Sequence, residues 1–132
     1  MGILIDSSVL IAAERGRLNL DMQLSKFAQD PVVIAAITAS ELLHGVHRAT
    51  AEHQVKHQAF VDGILRRLTL IAFDLTMARA HAQIWAQLAA KGVAIGAHDL
   101  LIGATAVALD YQIATCDKRS FAQIPGLKVL YW

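Results

Sequence analysis

The chain opens with three bulky aliphatic residues that run straight into an acid, Ile3-Leu4-Ile5-Asp6, with two hydroxyls, Ser7 and Ser8, behind it. A short run that is apolar at every position leaves no face for water. That is the pattern of a strand buried on both sides, as in a parallel sheet. Open parallel sheets place their ligand crevice beyond the carboxyl ends of the strands, and Asp6 stands at that end. A carboxylate held against apolar walls costs on the order of several kcal/mol unless it is paired, hydrogen-bonded or bound to a metal. What else in the chain meets Asp6 is therefore the first question.

The residues that follow alternate between helical and strand patterns. Ser7 to about Arg15 is expected as a helix, with Gly16 as its C-cap. Leu18–Ala28 carries a helical period that Asp30-Pro31 breaks. Val32–Ala35 is expected as a buried strand, with a helix opening at Thr38-Ala39-Ser40-Glu41. Ala51–Leu68 is expected as a long helix with Val55, Ala59, Ile64, Leu65 and Leu68 inward, and Leu70–Phe73 as a strand. Leu75–Lys91 is expected as a helix with Ala78, Ala82, Trp85, Leu88 and Ala89 inward, closed by Gly92. Ala97–Asp110 is apolar nearly all round, which predicts a deeply buried helix. Tyr111–Cys116 is expected as a strand, Asp117–Phe121 as a turn or short helix, and Leu127–Tyr131 as a final strand. Such alternation predicts the α/β class with a parallel sheet. No repeat or linker interrupts the 132 residues, a length that suits one domain over positions 1–132.

Other classes are excluded quickly. A hydrophobic content of 55% and a mean hydropathy of +0.44 argue against disorder. No apolar run approaches the roughly 18 residues that span a bilayer, so no membrane association is expected. The first residues lack a basic segment and include Asp6, unlike a signal peptide. The single Cys116 can form no internal disulfide, which suits a reducing cytoplasm. A net charge of +1 says little about partners.

Of the eleven acidic residues, Glu14, Asp21, Asp30, Glu52, Asp62, Asp74 and Asp110 lie in polar stretches or at element ends, as solvated charges do. Asp6, Glu41, Asp99 and Asp117 each follow or open an apolar element. Each also has a local explanation. Asp6 can cap the helix at Ser7, and Glu41 can complete a Thr38-x-x-Glu41 capping box. Asp99 can sit in a helix's first turn, and Asp117 can initiate a turn. As a set they point elsewhere, since all four can converge on one edge of the sheet. Clustered carboxylates raise one another's pKa, and divalent cations relieve the repulsion. Oxygen ligands select Mg²⁺ or Mn²⁺ over zinc, and such ions suit phosphodiester hydrolysis. Ser7 and Ser8 could orient Asp6 or a bound water, and Thr115 could do the same beside Asp117.

These residues also match a known pattern. Ile5-Asp6-Ser7-Ser8-Val9-Leu10-Ile11 and Ile37-Thr38-Ala39-Ser40-Glu41-Leu42-Leu43-His44-Gly45 resemble the opening half of PIN-domain ribonucleases. Ile95 to Ala106, carrying Asp99, is similar to the block with their third acid. Thr115-Cys116-Asp117-Lys118-Arg119-Ser120-Phe121 and the closing Gly126–Trp132 complete the likeness. The compact length resembles VapC toxins of bacterial type II toxin–antitoxin pairs. The resemblance implies a three-layer α/β/α sandwich and a metal-dependent endoribonuclease that leaves a 5′-phosphate and a 3′-hydroxyl. It makes Asp6, Glu41, Asp99 and Asp117 the acidic quartet. Asp6 and Asp99 would be direct Mg²⁺ or Mn²⁺ ligands, with Glu41 a ligand or the support of a water. Many members carry Asn where Asp117 stands. Ser7 and Thr115 match the family's hydroxyl positions. RNA as substrate, a homodimer and a cognate VapB-like antitoxin are implied as partners.

Remaining features have plainer readings. His53 and His57 lie four apart without the Glu of a zinc-protease motif, as surface histidines do, and His98 is expected at the pocket rim. Arg15, Arg48, Lys118 and Arg119 lie near the acidic edge in sequence, where RNA phosphates would need cations. Trp85 and Trp132 are expected to pack inward, and Cys116 to be a small buried residue. Three competing functions fit the residues less well. A phosphatase of the two-Asp type wants a second Asp where Ser8 stands. A receiver domain wants a central phospho-accepting Asp that no strand here supplies. A binding module without catalysis leaves the four acids unexplained.

Overall fold

The computed structural model describes the whole chain, Met1–Trp132. Five strands, β1 (Ile3–Ile5), β2 (Val32–Ala35), β3 (Thr69–Ile71), β4 (Gln112–Thr115) and β5 (Val129–Tyr131), form one sheet in the order β3-β2-β1-β4-β5. Every pair is parallel. β1 is the centre, with Ile3 opposite both Val32 and Gln112, and Ile5 opposite Ala114.

The all-apolar run has its explanation in the side-chain alternation of a strand. Ile3 and Ile5 enter one core and Leu4 the other, and all three are fully buried. The first core lies under α1 (Ser7–Glu14), α2 (Leu20–Ser25), α3 (Ala36–Arg48) and α4 (Ala51–Arg67). The second lies under α5 (Leu75–Ala90) and α6 (Ala97–Leu109). The result is the expected α/β/α sandwich. The chain fills one half of the sheet from β1 outward through β2 and β3, then returns across to β4 and β5. The topological switch point therefore falls between β1 and β4, where such sheets bind their ligands.

α6 is the deepest helix, with Leu100 and Ile102 through Ala106 all buried. Its one buried hydroxyl, Thr105 Oγ1, donates to the Leu101 carbonyl at 2.9 Å, so the helix takes no unpaired polar group inside. Gly103 permits close packing, since a Cβ there would lie 2.3 Å from Ile124 Cδ1. α5 starts where Asp74 Oδ1 accepts the Met77 N–H at 3.1 Å, a side-chain N-cap.

Several boundaries and faces differ from expectation. α2 is the short segment Leu20–Ser25, opened by Asn19, whose side chain accepts from the Met22 N–H at 3.0 Å. α3 begins at Ala36, directly after β2. β3 is Thr69–Ile71, so Ala72 and Phe73 lie outside it. Along Ala51–Leu68, Ile64, Leu65 and Leu68 face the core as expected, joined by Val61, while Val55 is 80% exposed and Ala59 is exposed too. On α5 the buried stripe is Met77, Ile84 and Leu88, leaving Trp85 59% exposed. Alanine lines both sides of α5 and His81 interrupts the true stripe, so periodicity alone mistakes its phase.

Ile102→Ala is expected to lower unfolding stability by about 2–5 kcal/mol, the usual cost of truncating a fully buried aliphatic. Val55→Ala should stay within about 0.5 kcal/mol, as exposed sites do. Urea denaturation of both variants checks this, and comparable losses would contradict the assignment of faces.

Candidate active site

Asp6 ends β1 and occupies the N-cap position of α1, yet its side chain caps nothing. Instead it is clamped from two sides. Ser8 Oγ donates to Asp6 Oδ2 at 2.6 Å, and Thr115 Oγ1 donates to the same oxygen at 3.0 Å. Each hydroxyl has one proton to give, so both are committed to Asp6. Each also accepts from the chain after β4: the Cys116 N–H reaches Ser8 Oγ at 3.0 Å and the Asp117 N–H reaches Thr115 Oγ1 at 2.9 Å. The 3.2 Å approach of the two hydroxyls is then a contact between filled partners. All of Asp6's side-chain hydrogen bonds fall on Oδ2, which leaves Oδ1 free on a carboxylate only 4% exposed.

The other three acids gather around this clamp. Asp99 lies in the first turn of α6. Burial pushes its carboxyl above the usual range, the Ser120 hydroxyl pulls it back, and the charges of Asp6 and Asp117 push it up again. Glu41 lies on α3, and burial, then the charge of Asp6, raises its carboxyl too. His98 Nδ1 stands 3.6 Å from Glu41 Oε2 and offsets part of that rise. Asp117 Oδ1 accepts the Arg119 N–H at 2.8 Å, so Asp117 both makes a turn and adds charge to the edge.

The donor set is all oxygen, as Mg²⁺ and Mn²⁺ require. Glu41 Oε1 is buried with no hydrogen-bond partner, a cost that a cation or its water would remove. No three of the chain's His, Cys, Asp and Glu side chains converge closely enough to cage an ion. Mg²⁺ needs only one or two carboxylates and keeps its waters, so the arrangement fits such an ion and not a zinc cage.

The profile of the PIN domain matches residues 3–127. The chain belongs to the PIN domain family. Ribonuclease VapC1 of Rickettsia felis is 36% identical over 131 residues, covering 98% of this chain and 96% of that one. The tRNA(fMet)-specific endonuclease VapC of Salmonella typhimurium is 32% identical over 99 residues, covering 75% and 74%. The crystal structure of VapBC2 from Rickettsia felis, bound to a DNA fragment from its promoter, superposes with a TM-score of 0.92 at 25% identity over 100% of this chain and 99% of that one.

Within this PIN domain several residues fall differently from expectation. Of the two serines, Ser8 is the one that bonds Asp6, while Ser7 makes no side-chain hydrogen bond. Thr38 is not a cap: α3 is capped at Ala35 without a side-chain bond, and Thr38 Oγ1 is buried and unpartnered. Glu41 is therefore free of the capping box. Ser120, whose hydroxyl holds the Asp99 carboxyl down, was not singled out by the sequence, because a serine in a polar turn carries no signal. His57 is no free surface histidine, since its Nδ1 lies 2.6 Å from Glu14 Oε2 and ties α4 to α1. His98, more than half exposed, is at the rim as expected. Cys116 is exposed, and burial of its thiol's surroundings pushes the pKa up, which disfavours the thiolate a nucleophile needs. Trp132 does pack, stacked on Phe27 at 5.9 Å between ring centres.

Because the Asp99 carboxyl is raised on folding, the folded chain holds that proton more tightly than the unfolded one. Metal-free stability is then full below the ordinary carboxylate range and falls as the pH rises through it. Asp99→Asn is expected to raise the Tm in EDTA at pH 7 by roughly a few degrees, with the gain vanishing at acid pH. A variant less stable than wild type at pH 7 would contradict the buried-charge account.

Proposed function

We propose that the chain is a divalent-metal-dependent endoribonuclease, the toxin of a type II toxin–antitoxin pair, acting at the edge formed by Asp6, Glu41, Asp99 and Asp117. One observation carries the reading: a clamped, buried Asp6 with three further carboxylates at the switch point of a PIN-family sheet. Asp6 and Asp99 are the residues assigned to hold Mg²⁺ or Mn²⁺. When bound, the ion supplies Lewis acidity for the phosphoryl oxygen and an activated water. Ser8 and Thr115 fix the rotamer of Asp6, so its free Oδ1 is aimed before any substrate arrives. Glu41, raised and with Oε1 unpartnered, is suited to take the proton of the attacking water. Asp117 adds negative charge and positions the turn after β4.

The same reading assigns the partners. RNA is the substrate, and a VapB-like antitoxin holds the protein inactive. No helix is long and apolar enough to cross a membrane, and a cytoplasmic location follows from the reading. Residues 1–132 would form one PIN domain. A homodimer has a surface available: Phe73, His81 and Trp85 run as an aromatic row with ring centres 6.0 and 5.6 Å apart, and Leu70 and Leu75 are also exposed.

Purified protein freed of antitoxin is expected to cleave RNA with Mg²⁺ or Mn²⁺ and not with EDTA, leaving 5′-phosphates. Asp6→Ala and Asp99→Asn should each lower the rate more than about 100-fold, since even outer-shell partners of a metal are worth 10–100-fold. Cleavage that survives both substitutions would overturn the mechanism.

Trp85→Glu should convert a dimer to a monomer in light scattering without loss of helical circular dichroism. A variant that remains dimeric would move the interface off the aromatic row.

A further inference from the structure

A groove of about 720 Å³ lies between α1, α3 and α4, with Glu41 in its wall. Arg15, Arg48 and Lys56 line it, together with His44 and His53. None of the three cations is paired with an acid. Glu14, the other acid of the groove, is held by His57. Unpaired like charges gathered in one concavity repel, and concave walls focus their field. A bound polyanion relieves that repulsion.

On the ribonuclease reading, the same groove answers a second problem. An edge of four carboxylates repels the phosphates of its own substrate, so cations must lie along the strand's approach. The groove shares Glu41 with that edge, and so delivers a strand to it. The neighbouring groove of about 700 Å³ on the other side of α1 shares Ile11 and Arg15 with it and adds Arg17, but Ala12, Leu18, Met22 and Trp132 give it more apolar residues. An amphipathic protein segment needs apolar anchors; three of the twelve residues lining the α1–α3–α4 groove, Ile11, Leu42 and Ala49, supply them, against six of eleven in its neighbour.

We propose that the α1–α3–α4 groove binds the sugar–phosphate backbone of single-stranded RNA on one side of the scissile bond, through Arg15, Arg48 and Lys56. It rests on the ribonuclease reading and adds to it the path of the strand. The three side chains contact phosphates, so they contribute affinity without base preference.

The test measures anisotropy of a fluorescein-labelled uridine-rich oligoribonucleotide in EDTA over a range of salt. Arg48→Ala/Lys56→Ala is expected to weaken binding and to flatten the plot of log K against log salt by about 0.7 per lost contact. With Mn²⁺ the same variant should raise KM more than it lowers kcat. Arg48→Lys/Lys56→Arg should restore both readouts, and Lys91→Ala, at the end of α5 in the opposite layer, should change neither. If wild type cleaves RNA while the double variant keeps the wild-type salt slope and KM, the groove assignment falls and the ribonuclease reading stands. Loss of antitoxin affinity with RNA binding intact would also overturn the assignment, giving the groove to a protein partner. A wild type that cleaves no RNA strikes the ribonuclease reading itself, and the groove's role with it.

Discussion

The buried carboxylate of Asp6 and the two hydroxyls that hold it are the constraint on which the rest depends. A charge at 4% exposure persists at the end of an apolar strand only if its oxygens are satisfied. Ser8 and Thr115 do this on one oxygen, and backbone N–H groups of Cys116 and Asp117 satisfy the hydroxyls in turn. The network binds the carboxyl ends of β1 and β4 through side chains, just beyond the last ladder pairing of Ile5 with Ala114. A strongly connected polar network of this kind fixes one arrangement of its members. Stability and function draw on it differently: the oxygen it fills holds the sheet, and the oxygen it spares is left for chemistry.

The two cores divide the labour around that network. Ile3 and Ile5 anchor the helices on one face and Leu4 anchors α6 on the other. Because α6 is packed nearly all round, its first turn is a rigid platform for Asp99. Glu41 is carried by α3, which follows β2 without an intervening loop, so its place is tied to the sheet as well. Sites built on such elements are held more tightly than sites on loops. The cost appears in the raised carboxyls of Glu41 and Asp99, where burial acts first and the charges of neighbouring acids add to it; of the protein's cations only the imidazole of His98 stands within ion-pair distance of either, beside Glu41.

Much of this was legible in the residues. The all-apolar Ile3-Leu4-Ile5 located the centre of the sheet, and the four acids that break apolar stretches located the edge, because a misplaced charge is a strong signal. Weaker signals failed in instructive ways. Thr38-x-x-Glu41 has the spacing of a capping box, but β2 runs directly into α3 and the helix starts two residues earlier, so the pattern had no helix end to cap. Ser7 and Ser8 are equivalent in composition, and only the turn leaving β1 decides which hydroxyl faces Asp6. Trp85 and Val55 look like core residues by type, yet a helix buries one stripe, and alanine-rich or mixed helices do not declare its phase. Lys56 is invisible from sequence as a neighbour of the acidic edge, since α4 must fold back against α1 before its side chains reach the groove.

The clamp joins residues separated by 109 positions, from Asp6 to Thr115. During synthesis on the ribosome, β1, β2 and β3 emerge with one of their central strand's edges still waiting for β4. Asp6 leaves the tunnel well before Thr115, whose hydroxyl completes its setting. Contacts this distant in sequence form late and slowly. A truncated or stalled product of translation thus carries the first acids without a finished site. On the toxin reading, the order of the chain is itself a safeguard: the site is assembled only after β4 has followed the first three strands.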